Sequence, residues 1–217
     1  MSIFVADIEL AEPLLELALP AGARGLFALV RHAGRPAGLL RMPEVTGVVT
    51  PAQLAGAITN QLDVMLTPVV RRPSSVIHPI SIIVCTHERP TDLERCLTAL
   101  VSPAAAGHEV MVVDNAPRSG RTAEVAARFP FRYLVEPRQG LDHARNAGLR
   151  AAQHPLVAFI DDDAVADPNW PAAIAAPFSD PAVGCVTGLV LPLELETPAQ
   201  IQFEHYCTGR RTFIRRV

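Results

Sequence analysis

The sequence predicts an α/β fold: a mainly parallel sheet flanked by helices, with a small β-plus-helix module ahead of it. Three observations lead there. From Ile80 onward, short apolar runs recur four times, and helical spacing follows the first three. Those runs are almost continuously apolar, as strands covered on both faces are. The residues before Arg71 follow a different pattern, with alternation and dense turn signals. Of the 217 residues, 49% are hydrophobic, enough for a core and against global disorder.

In the first module, VADIEL alternates as a short strand, and GLFALVRHAGRPAGLL reads as two apolar strands around a turn at Ala33-Gly34-Arg35-Pro36. Thr50, as N-cap, and Pro51, at the first helical position, open a helix through PAQLAGAITNQL. No polar chemistry clusters here, so residues 1–72 are expected to be an accessory module with a structural or docking role. RRPSS (Arg71 to Ser75) reads as linker, set at 73–79, and residues 80–217 as the second domain.

In that domain ISIIVC is the first strand, and TDLERCLTAL the first helix, with Leu93, Cys96, Leu97 and Leu100 on one face. EVMVVD, FRYLVE and LVAFI are the next strands. GRTAEVAARF and GLDHARNAGLRAA are the helices between them, the latter with the stripe Leu141, Ala144, Gly148 and Ala151. Strands and helices alternating at such short spacing give a parallel sheet. VGCVTGLVL is expected as a further strand, IQFEHYC as a short amphipathic stretch, and GRRTFIRRV as a solvated basic tail.

Charge and composition exclude several classes. With 19 basic and 22 acidic residues, a net of −3, nothing calls for a nucleic-acid surface. The four cysteines, Cys85, Cys96, Cys185 and Cys207, lack CxxC spacing and read as buried thiols in a reducing compartment. No run reaches the length of a membrane span, and the N-terminus lacks signal-peptide order. A soluble cytoplasmic protein is expected, with peripheral membrane contact left open.

Ligands of open parallel sheets bind beyond the carboxyl ends of the strands, where strand order reverses. Those ends read Thr86-His87-Glu88-Arg89, Asp114-Asn115, Glu136-Pro137-Arg138 and Asp161-Asp162-Asp163. Adjacent carboxylates repel unless a cation is present, and a hard divalent metal such as Mg2+ or Mn2+ resolves the repulsion. The competing reading is a solvated acidic turn or helix cap, with Asp167-Pro168 opening the next helix. Composition does not separate the two; position directly after a buried strand favours the metal. Asp114 can accept the imide N–H of uracil or thymine, or start an Asx turn. Arg145 can grip a diphosphate, or simply face solvent. His87 and His143 show no ligand spacing. A nucleotidyltransferase or an NAD enzyme is disfavoured, because no Gly-rich phosphate loop follows a strand.

SIIVCTHERP with its LxxCLxAL helix, EVMVVDNAP, GLDHARNAG and VAFIDDDAVADPNW together resemble the family 2 inverting glycosyltransferases of GT-A fold, over roughly residues 80–193. The resemblance implies transfer of a sugar from a nucleoside-diphosphate sugar, UDP or dTDP linked, to an unidentified acceptor hydroxyl. By position, Thr86 and Glu88 would line the base and ribose pocket and Asp114 would read the base. Asp161 would serve ribose and metal, Asp163 would be the direct metal ligand, and Asp162 would fill the variable position. Arg145, with Asn146, would lie near the phosphates. The family's base, the Asp of a Glu-Asp pair, has no match after Asp163, nor does its QxxRW motif. The catalytic base is therefore unassigned. The alternative, a truncated or non-catalytic nucleotide-sugar-binding module, stays open.

Overall fold

The computed structural model describes residues 2–62 and 79–207. They divide into two compact units, 2–62 with 190–207, and 79–189. The expected linker lies, apart from Pro79, outside the described residues.

The first unit holds β1 (Ser2–Glu9), β2 (Leu17–Ala18), β3 (Ala23–His32), β4 (Arg35–Pro43), β5 (Val48–Val49) and α1 (Pro51–Gln61). Its main sheet has the order β1-β3-β4, with β1 parallel and β4 antiparallel to β3. The hairpin turns through Ala33 and Gly34, both at positive φ (51° and 74°), the backbone a two-residue turn of matching twist requires. Thr50 and Gln53 form a reciprocal capping box at the start of α1, which buries Leu54 and Ile58.

Residues 190–207, expected in the second domain, belong by their contacts to this first unit. The Ile3 N–H donates to the Leu195 carbonyl at 2.8 Å, and α6 (Pro198–Cys207) brings Glu204 within 3.6 Å of Arg41 on β4. That ion pair also corrects the expected amphipathic stretch. Glu204 is buried, whereas Phe203 and Tyr206 are 63% and 80% exposed.

The second unit carries the alternating pattern: β6 (Ser81–Thr86), α2 (Pro90–Ala105), β7 (Glu109–Asn115), α3 (Arg121–Ala126), β8 (Arg132–Glu136), α4 (Leu141–Ala151), β9 (Val157–Asp161) and α5 (Trp170–Ala175). The four strands are all parallel, in the order β8-β7-β6-β9. From α2, Leu93, Cys96, Leu97 and Leu100 are fully buried beside Ile82, Val84, Val110 and Val112 on one face of the sheet. Each such side chain contributes about 1.5–3 kcal/mol on burial. On the other face, Ala144 of α4 packs with Ile83, Met111 and Val113. Gly148 brings α4 close: a Cβ there would lie 2.6 Å from Ile83 Cγ2. Leu141, expected in the buried stripe, is exposed, since it stands in the first turn beyond this contact.

Further expectations need correction. Residues 183–191 form no strand, although their composition favours one; among the described residues β9 stays the edge of the sheet and this segment does not pair with it. In the same stretch Cys185 is exposed, and Cys85 is only half-buried; both, like Cys96, are free thiols. Asp167 does not open a helix directly. Its carboxylate accepts the Asn169 N–H at 2.8 Å, and α5 starts at Trp170. No helix among the described residues is long and apolar enough to cross a membrane.

Candidate functional site

The chain leaves β6 toward β7 on one side and crosses to β9 on the other. Strand order therefore reverses between β6 and β9, and beyond their carboxyl ends lies the position where open parallel sheets form a ligand crevice. The register fixes what faces it. Thr86 stands beside Asp114, and Cys85 beside Asp161. Successive residues of a strand point to opposite faces, so the acidic triplet divides. Asp161 shares a face with Cys85 and α4, and its carboxylate lies 3.8 Å from the Arg145 guanidinium. Asp162 follows on the α2 side, beside Thr86. The turn closes with the Ala164 N–H donating to the Asp161 carbonyl at 3.1 Å.

Burial separates the three carboxylates. Asp162 keeps 9% of its side chain exposed, against 75% for Asp161 and 55% for Asp163. Burial pushes the Asp162 pKa up, opposed by Thr86 and by the Arg89 charge. The Thr86 hydroxyl lies near enough to lower that pKa, yet meets hydrogen-bond geometry with no described neighbour. Arg89, which the sequence reading left without a role, spans the pair: it lies 3.4 Å from Asp162 and 3.2 Å from Asp163.

The exposed oxygens of Asp161 and Asp163 are hard donors of the kind Mg2+ and Mn2+ take. Among the described residues no three acidic, histidine or cysteine groups form a cage. A cation held by these two carboxylates would keep positions for phosphate oxygens and water, the usual Mg2+ arrangement. Asp161 and Asp163 thus offer the donor type that a divalent metal takes, and would hold one only together with phosphate oxygens and water.

Asp114, next to last in β7, is fully buried. Its Oδ2 accepts a 2.6 Å hydrogen bond from the Tyr133 hydroxyl of β8, and its Oδ1 has no partner among the described residues. Burial raises its pKa, and the tyrosine hydrogen bond draws it back down. Tyr133 was also missed, because only the strand register, Val112 beside Tyr133, puts it within reach.

Glu88 is placed differently from a pocket-lining group. Its backbone is left-handed (φ 56°) and its carboxylate accepts the N–H groups of Arg118 and Ser119, at 2.8 and 3.0 Å, and the Ser119 hydroxyl. These bonds hold its pKa down at about 2. It therefore ties the loop after β6 to the loop after β7. Asn115 makes the next tie. Its side chain donates to the Arg138 carbonyl at 2.7 Å and accepts the Gly140 N–H at 2.8 Å, and its own carbonyl accepts from His87 Nδ1 at 2.6 Å.

The structure thus gathers Thr86 and Asp162 on one side of the crevice, and Asp161 and Arg145 on the other. Asp114 lies one strand away, and Glu88 serves the rim.

The sequence model for glycosyl transferase family 2 matches residues 81–212, more than half of the chain. The chain belongs to that family. A glycosyltransferase of Mycobacterium bovis is 43% identical over 74 residues, 34% of each chain. The pre-mycofactocin glycosyltransferase of Mycobacterium tuberculosis is 27% identical over 179 residues, 76% of this chain and 37% of its own. The family 2 chain thus spans about a third of the length of the curated relatives it matches. Among solved structures, a mannosyltransferase of Pyrobaculum calidifontis in complex with GDP-Man and Mn2+ is 26% identical, over 54% of this chain and 40% of that one, with a TM-score of 0.43. A glucosyl-3-phosphoglycerate synthase of Mycobacterium tuberculosis, in complex with Mn2+, UDP and phosphoglyceric acid, is 21% identical over 46% and 39%, with a TM-score of 0.41. The parallel sheet with helices on both faces is the GT-A arrangement expected of the family.

Proposed function

We propose that residues 79–189 bind a nucleoside-diphosphate sugar, uridine or thymidine linked, and that the protein transfers the sugar to an acceptor hydroxyl with inversion. The observation that carries this is the buried Asp114 Oδ1 without a partner. Buried polar atoms are nearly always satisfied, so an orphaned acceptor is accounted for by a ligand that brings a donor. The imide N–H of uracil or thymine is such a donor, and cytosine lacks one at that position. Oδ1 is closed to solvent in the free protein, so approach of a base edge requires a local opening.

The other residues take roles consistent with their positions. Thr86 offers a second unpartnered hydroxyl beside the base reader. Arg145, half-exposed on α4, supplies a guanidinium to the phosphates. Asp161 and Asp163 hold the metal. A divalent cation held there would supply positive charge to offset that of the departing diphosphate. The deprotonating base for the acceptor is assigned to none of these residues, and the acceptor is a hydroxyl compound of unassigned identity.

The test is calorimetric titration of the chain with UDP and dTDP, with and without Mn2+. Tight binding should require the metal. Asp163→Asn should remove that metal dependence and leave the thermal midpoint within about 2 °C, since it relieves carboxylate repulsion rather than breaking packing. Equal binding by wild type and variant would refute the metal assignment. Binding of UDP- or dTDP-linked sugars without transfer or hydrolysis would select the other reading, a donor-binding module that is not itself catalytic.

A further inference from the structure

We infer that Tyr133 is a specificity-determining positioning residue: by holding Oδ2 of Asp114 it leaves one uncontested acceptor oxygen, which favours a base with a single edge donor over guanine. This rests on Asp114 as the base contact, and it deepens that reading by adding a residue and a selection rule.

A carboxylate offers two oxygens, and a base edge can address one or both. Guanine carries its N1–H and exocyclic N2–H side by side, and this donor pair calls on both carboxylate oxygens, so its second donor competes with any hydroxyl already bound to one of them. Uracil and thymine carry one imide N–H between two carbonyls and need one oxygen. In the structure Oδ2 is taken by the Tyr133 hydroxyl at 2.6 Å and Oδ1 is not taken. One oxygen is uncontested and the other already carries a donor, which favours a base edge with a single donor.

The hydroxyl also fixes the carboxylate in its plane and in its charge state. Four groups face Asp114: Tyr133 from β8, Glu88 and His87 from the loop after β6, and Thr86 from β6. Burial and the Glu88 charge raise the Asp114 pKa, and Tyr133 and His87 lower it. The ionised carboxylate is the stronger acceptor for a ring N–H, so Tyr133 supports reading by shape and by protonation together. Tyr133 is partly exposed on the edge strand of the sheet, so loss of its hydroxyl alone leaves the packing of the ring in place.

The experiment titrates wild type, Tyr133→Phe and Asp114→Ala with UDP, dTDP and GDP in Mn2+ by calorimetry, across a pH series. The wild type should prefer UDP and dTDP to GDP. Tyr133→Phe should narrow the UDP-to-GDP ratio by about tenfold, the size of one charge-assisted hydrogen bond. It should also move the pH midpoint of UDP binding upward, because a group that lowers the Asp114 pKa is gone. A purely structural tyrosine would weaken all three nucleotides alike and leave the midpoint alone, and that result overturns the inference. If Tyr133→Phe leaves the ratio unchanged while Asp114→Ala abolishes it, Asp114 still reads the base and the Tyr133 role is refuted. If Asp114→Ala leaves the ratio unchanged, the base reading itself falls and takes the inference with it. Equal binding of UDP and GDP by the wild type overturns both.

Discussion

Replacing Gly148 by alanine tests how closely α4 must approach the sheet for the crevice to form. The added methyl would lie 2.6 Å from Ile83 Cγ2, 3.1 Å from its Cδ1 and 3.2 Å from Val113 Cγ2. Carbon pairs rest at about 3.5–4.0 Å, so the worst contact is about 1 Å too short. Ile83 and Val113 are fully buried and have little space into which to retreat. Overpacking of this kind costs about 1–3 kcal/mol. Against it stands the better helix propensity of alanine, about 0.8–1.0 kcal/mol. The expected balance is a loss of about 1 kcal/mol, with α4 displaced away from β6. Urea denaturation should then show a lower midpoint with an unchanged slope. Because α4 carries Arg145, nucleotide-diphosphate affinity should fall as well, and nucleoside affinity should not. The double variant Gly148→Ala with Ile83→Ala should lose less than the sum of the single losses, by about 1 kcal/mol or more, since the clash partner is gone. An alanine variant that is more stable than wild type, or single losses that add to within about 0.5 kcal/mol, would refute the close-packing argument.

Two further outcomes are expected. Arg89→Gln removes the cation that spans Asp162 and Asp163. Mn2+ should then bind about severalfold more tightly at low ionic strength, with the gain fading as salt screens these half-exposed groups; electron paramagnetic titration reads it, and unchanged or weaker affinity would show that Arg89 does not compete with the metal. Glu88→Gln should alter the acid limb of stability. The Glu88 pKa is depressed to about 2, so its contribution is present above the ordinary carboxylate range near 4.5 and is lost as pH falls through about 2. Thermal melts between those limits should show a flatter acid slope for the variant, and parallel slopes would mean that the three hydrogen bonds to the loop after β7 contribute nothing.

The sheet of the second unit was legible because its signals are local. ISIIVC and EVMVVD are apolar on both faces, and the Leu93, Cys96, Leu97 and Leu100 spacing points one face of α2 at them. The carboxyl ends of those strands are therefore legible as the crevice from the sequence alone. What could not be read depends on partners distant in sequence. VGCVTGLVL has strand composition and no ladder. Residues 190–207 join the N-terminal unit through a bridge between Ile3 and Leu195 that no periodicity announces. Phe203 and Tyr206 looked like the apolar side of α6, and Arg41 instead draws Glu204 inward. In the site, three successive carboxylates suggested one cluster. Asp161 and Asp162 instead go to opposite faces; only register brings Tyr133 to Asp114, and Arg89, just ahead of α2, meets Asp162 and Asp163 only in the folded chain.

The amide of Asn115 gives the rim a further property. Its side chain and carbonyl join three loops, those after β6, β7 and β8, through contacts with His87, Arg138 and Gly140. Two of those three ties are made by a neutral amide with backbone groups, which neither salt nor ordinary acidity dissolves. A lineage in which donor preference drifts can thus exchange residues that meet the base while this keystone stays in place. Change at Asn115 itself would loosen three loops in one mutational step, so adaptation is channelled toward the strands' edge residues and away from the joint that holds them.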